Sequence, residues 1–206
     1  MQEIAPHILL RKAMNHSAYV DILKGEVGKR IVEELCRKSP TIRHRYSDAF
    51  VKFWCLKEFI VRFDKGMILP DGRYERSKRI FDAILFVQPS IDAIAQKWSF
   101  KVGFEVKTNP TNLLNDDKIQ YYLGWTDFFF IAVDDSMIDL AITKARADPR
   151  IGVASLTSGK IHKMPAWQDV PMGRRNEVME QAFYRYTKRT DLEVSFLMNS
   201  YGNTIS

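Results

Sequence analysis

Six consecutive apolar residues, Phe128-Phe129-Phe130-Ile131-Ala132-Val133, constrain this chain more than any other feature. A strand with one wet face alternates apolar and polar residues. An unbroken run of this kind suits a strand covered on both faces, inside a sheet packed between two layers. Other segments fit the same sheet. Ile80 to Val87 reads as a strand closed by Gln88-Pro89, and Phe100 to Val106 alternates as a strand. Ile151–Leu156 is a further strand, and Thr157-Ser158-Gly159 turns the chain into Lys160–Met164. Between them the period changes. Val27, Ile31, Val32, Leu35 and Cys36 recur at helical spacing until Ser39-Pro40 stops the run. Leu113, Leu114, Ile119 and Leu123 give 112–124 an inward helical face. Met137, Ile138, Leu140, Ala141 and Ala145 do the same for 136–147.

Strands alternating with helices predict an α/β fold: a mixed central sheet flanked by helices on both faces. At 206 residues and 46% apolar composition, the chain has enough core for one domain. The expected division is a helical extension over 1–24, with a short helix around Ile8–Tyr19, then a single domain over 25–198 and a frayed tail over 199–206. A basic amphipathic helix is expected over 174–188. The aromatic-rich stretch 41–66 fits strand and helix equally well, Pro70-Asp71-Gly72 signals a turn, and 73–79 reads as a basic, exposed segment. No stretch approaches the ~18 apolar residues of a membrane helix, and no signal-peptide pattern opens the chain, so a membrane partner is not expected. Cys36 and Cys55 make neither a disulfide framework nor a zinc motif, and both sit in apolar surroundings, which fits a reducing cytoplasm. The four histidines are scattered without ligand spacing.

Three charged residues stand out by position. Asp82 interrupts an otherwise apolar strand. Glu105 and Lys107 flank Val106 at the end of the next strand, and period two puts them on one face. If those strands pair, Asp82 comes beside Glu105. Two buried carboxylates repel each other unless a cation neutralises them. Hard oxygen ligands a few ångströms apart suit Mg²⁺ or Mn²⁺, and the neighbouring ammonium could stabilise developing negative charge. The net charge of +6 leans toward a polyanion. Arg43, Arg45, Arg73, Arg76, Lys78 and Arg79 lie near the Asp82 strand, and Arg174 and Arg175 open the last helix, so these are the candidate phosphate contacts.

Asp82, twenty-two intervening residues, then Glu105-Val106-Lys107 resembles the signature of the PD-(D/E)XK nuclease superfamily. The element order over 25–164 is also that of the superfamily core. The stretch Asp116-Asp117-Lys118 through Tyr122-Leu123 to Asp127-Phe128-Phe129-Phe130-Ile131-Ala132-Val133 is similar to one in a repair-associated bacterial branch, the MmcB-like proteins. Phe81 stands where the superfamily often has Pro. The resemblance implies a restriction-endonuclease-like fold and a metal-dependent nuclease acting on DNA, in repair or restriction. It implies Asp82, Glu105 and the Val106 carbonyl as metal ligands, Lys107 as the residue that positions the attacking water, and a Glu from the first core helix. Glu33 and Glu34 compete for that last role; Glu34 lies nearer the apolar stripe and is preferred. Gln120 is the expected supporting residue on the following helix, whose polar face would present Asp117 or Lys118 with Gln120 or Tyr121. Many relatives work as dimers, which makes a homodimer one expected assembly. The rival expectations are a nucleic-acid-binding module with this fold but little turnover, and a protein-interaction component docking through 50–63. No cofactor other than the metal is expected.

Overall fold

A computed structural model describes residues 16–23, 25–42, 52–68, 74–88, 100–117 and 119–181. Its elements run α1 (His16–Ile22), α2 (Glu26–Lys38), β1 (Lys52–Ile68), β2 (Tyr74–Gln88), β3 (Phe100–Lys107), α3 (Pro110–Leu114), β4 (Phe128–Val133), α4 (Ile138–Ala145), β5 (Ile151–Ser155) and β6 (Ile161–Lys163). Single 3-10 turns cover Ile119–Tyr122 and Asp135–Met137, and the chain is helical again over 172–181. The six strands form one sheet in the order β1-β2-β3-β4-β5-β6. β3, β4 and β5 run parallel, while β1, β2 and β6 are antiparallel to their neighbours. The fold is α/β with a mixed sheet, as the sequence predicts.

The apolar run is β4, and all six of its residues are buried. Phe129, Ile131 and Val133 join one core cluster with Ile138, Ala141 and Ala145 of α4; Phe128, Phe130 and Ala132 join another with Ile31, Val32 and Leu35 of α2. Both sides of the strand are therefore dry, which is why no polar alternation survives in it. Tyr19, Val20 and Leu23 are buried in the second cluster, so the segment before residue 25 contributes to the core. Gly28 lets α2 come close to the preceding turn, where an added Cβ would stand 2.0 Å from the Leu23 carbonyl oxygen.

The structure decides one open reading and departs from two others. The ambiguous 41–66 stretch is a strand from Lys52, paired with β2 from Lys52↔Gln88 to Ile68↔Tyr74. β2 starts at Tyr74 rather than Ile80, because this hairpin ladder carries the basic segment into the strand. The helix expected over 112–124 is broken. Asn109 caps α3 by accepting from the Thr111 N–H at 2.7 Å, Pro110 starts it, and Asn115 ends it. Leu113, Ile119 and Leu123 are still buried, but Leu114 is left exposed. Of the helix expected over 174–188, residues up to 181 are described and are helical; 182–188 and the tail lie outside the described residues. Among the described residues no helix is long and apolar enough to cross a membrane.

Gly103 is closely packed within β3. An added Cβ would meet the Phe81 ring at 2.6 Å and Thr126 Oγ1 at 2.7 Å, and both residues are fully buried. Gly103→Ala should therefore lower stability by about 1–3 kcal/mol. A denaturation midpoint equal to wild type would contradict this packing.

Candidate active site

The site forms where β3 ends. Period two puts Glu105 and Lys107 on the same side, and Asn109 then starts α3, so the chain turns back over the strand end. The turn after α3 returns Asp116 to Lys107, and the following 3-10 turn supplies Tyr122. Glu105, Lys107, Asp116 and Tyr122 line a cavity of about 380 Å³ together with Val106 and Asn115. Lys107 Nζ lies 2.8 Å from Glu105 Oε1 and 2.6 Å from Asp116 Oδ2. Tyr122 is wedged between Phe81, with ring centroids 4.8 Å apart, and Phe129, stacked at 5.7 Å.

Asp82 enters from β2. The β2–β3 ladder ends at Ala83↔Phe104, and beyond it the Val106 N–H donates to Asp82 Oδ2 at 2.7 Å. A side-chain carboxylate thus takes over where the main-chain ladder stops. Asp82 is not among the residues lining the cavity, but its charge acts on Glu105. Glu105 is 7% exposed, and its Oε2 has no hydrogen-bond partner among the described residues. Burial first, then the Asp82 charge, pushes its pKa up to about 8, against the pull of Lys107. Burial alone would lower the Lys107 pKa, but the charges and hydrogen bonds of Glu105 and Asp116 outweigh it and leave it raised. Burial and the negative charges of Glu105, Asp116 and Asp82 hold the Tyr122 phenol well above its ordinary pKa.

A divalent ion at this site would have few protein ligands. Among the described residues no three His, Cys, Asp or Glu side chains are grouped to hold a metal by themselves. Glu105 has a buried oxygen without a hydrogen-bond partner among the described residues and feels the Asp82 charge, so a further cation at that oxygen would favour the ionised carboxylate. Mg²⁺ commonly takes one or two carboxylates and fills its remaining positions with water and phosphate oxygens. Asp82, Glu105 and the Val106 carbonyl would be the protein's share.

Two expected members do not join the site. Glu34 Oε2 accepts from the Ile161 N–H at 2.7 Å, and its Oε1 pairs with Lys38, so Glu34 ties α2 to β6. Glu33 pairs with Arg37 at 3.8 Å. Gln120 is exposed and hydrogen-bonds Asp148, because the broken helix turns it away from Glu105. Asp116 and Tyr122 stand in the site instead.

The expected phosphate contacts divide. Arg175 is committed to Asp127, which is fully buried, and its Nε also donates to the Val170 carbonyl at 3.2 Å. It is a structural cation rather than a free phosphate contact. Arg174 lies at the surface with its guanidinium 5.0 Å from the centre of the Trp125 ring. Arg76, Lys78 and Arg79 sit on β2 opposite Asp64, Arg62 and Val61. Arg43, Arg45 and Arg73 lie outside the described residues.

No family model matches the chain, and no curated protein does. Among solved structures it is similar to a protein of unknown function from Silicibacter pomeroyi, at 17% identity and a TM-score of 0.45, over 83% of this chain and 94% of that one. The overlap is loose, and the site rests on its own geometry.

Proposed function

We propose that the protein is a metal-dependent phosphodiesterase of the PD-(D/E)XK kind that cleaves DNA. The observation that carries this reading is Glu105: a buried carboxylate with one oxygen on the Lys107 ammonium, the other unpartnered, and Asp82 close enough to raise its pKa. Mg²⁺ or Mn²⁺, when bound, would polarise a phosphate and lower the pKa of a water. Asp82 and Glu105 supply its hard oxygen ligands. Lys107 offers a cation where charge develops on the phosphate, and Asp116 keeps that cation from drifting. Tyr122 is protonated at neutral pH, so it can only add a neutral hydrogen-bonding group.

DNA is the substrate class favoured by the net charge of +6 and by β2, which carries Arg76, Lys78 and Arg79 on the same strand as Asp82. A cytoplasmic repair or restriction setting and a homodimer belong to the same proposal. The test is Mn²⁺-dependent cleavage of mixed DNA substrates by wild type, Asp82→Asn and Lys107→Ala. Asn keeps an oxygen for the Val106 N–H, so that variant removes the charge and spares the sheet. Each change should slow cleavage by about 100-fold or more. Unchanged cleavage in both would exclude this site. Salt-dependent DNA binding without any cleavage would favour a binding module with the same fold.

A further inference from the structure

The cavity at the end of β3 already holds a positive charge of its own. The Lys107 ammonium lies between two carboxylates, 2.8 Å from Glu105 and 2.6 Å from Asp116, and its side chain is only 14% exposed. Glu105 is the one carboxylate shared between this ammonium and the proposed metal, and its second oxygen is unpartnered within the same cavity. Two cations at one carboxylate repel each other, so a divalent ion that takes Glu105 must loosen Lys107 from it. A mostly buried ammonium released with no counter-charge would resist that exchange.

We propose that Asp116 is the positioning residue that receives Lys107 when a divalent cation takes Glu105, so that the site exchanges its own ammonium for metal without leaving that ammonium unpaired. This rests on the metal-site reading above and adds a function for a residue outside the Asp-Glu-X-Lys pattern. Asp116 reaches Lys107 because α3 stops at Asn115 and the chain turns back over the strand end. The arrangement also explains how the cavity stays folded in two charge states. Without metal, Lys107 bridges Glu105 and Asp116; with metal, Lys107 rests on Asp116 alone. Its amine then stays over the cavity, where a phosphate would lie.

The experiment is Mn²⁺ binding to the full chain by titration calorimetry at one pH, for wild type, Asp116→Asn, Lys107→Met and the double variant, with Glu105→Gln as the control. Lys107→Met should bind Mn²⁺ at least as tightly as wild type, because the competing ammonium is gone. Asp116→Asn should bind about tenfold more weakly, because Lys107 then has only Glu105 to hold. In the Lys107→Met background, Asp116→Asn should change nothing. Equal weakening in both backgrounds would make Asp116 a direct metal ligand and overturn the exchange. No weakening in the wild-type background would overturn it as well. Loss of binding in Glu105→Gln together with indifference to Asp116→Asn would remove only this proposal. Undiminished binding in Glu105→Gln would remove the metal-site reading and the exchange with it.

Discussion

Glu105→Gln should abolish Mn²⁺-dependent cleavage and, in a chelator, make the protein more stable than wild type at pH 8–9. The two effects have one origin. Glu105 is 7% exposed and faces the Asp82 charge, so its carboxylate is costly to ionise in the folded chain, and its pKa rises to about 8. In the unfolded chain it ionises at the ordinary value of 4.5. A folded pKa above the unfolded one means that stability is fully present below pH 4.5 and is lost as pH rises through about 8. At about 1.4 kcal/mol per unit of displacement, a shift from 4.5 to about 8 means that the metal-free protein should lose roughly 5 kcal/mol across that window. An amide does not ionise, so the variant should keep most of that stability, and Lys107 still has Asp116 as a partner. The variant lacks the anionic oxygen that a divalent ion needs, so cleavage is lost. Urea titrations at pH 5 and pH 9 check the first half, and a plasmid cleavage assay checks the second. A wild-type protein equally stable at both pH values would refute the burial cost assigned to Glu105.

Arg175→Met should destabilise the protein by about 3–5 kcal/mol. Its partner Asp127 is fully buried just before β4, where Oδ2 accepts from the Lys101 N–H at 2.8 Å and Oδ1 from Arg175. Burial raises the Asp127 pKa despite these donors, which shows how much the carboxylate depends on them. Removing the guanidinium leaves a buried charge with only a backbone donor and a nearby Lys101 whose own pKa is lowered by burial. Asp127→Asn combined with Arg175→Met should recover part of the loss, since no uncompensated charge remains. Denaturant midpoints of the three variants measure this. An Arg175→Met variant within 1 kcal/mol of wild type would mean that the pair behaves as a solvated surface contact.

The sheet and the centre of the site were legible for local reasons. Phe128–Val133 suited a doubly covered strand and is one, and period two put Glu105 and Lys107 on one side. Asp82 stood out because a charge inside Phe81–Val87 needs a partner, and that partner is the Val106 N–H beside Glu105. Glu34 was not legible. The helical stripe placed it at the edge of the packed face, but only the docking of α2 against β6 decides what that edge touches, and it touches the Ile161 N–H. Gln120 was expected in the site, and Asp116 and Tyr122 were missed, for one reason. A continuous helix over 112–124 would have turned Gln120 or Tyr121 toward Glu105. The break at Asn115 resets the phase and brings Asp116 and Tyr122 in their place. The available signal was Asn115-Asp116-Asp117, three residues that favour turns and helix ends over helix interiors.

The bond from the Val106 main chain to Asp82 has a consequence for the stiffness of the proposed site. A carboxylate stitched into the seam between two strands cannot swing outward while that bond holds. If the proposed site takes a divalent ion, this side of it is held in place before the ion arrives, and binding should require little rearrangement of the sheet.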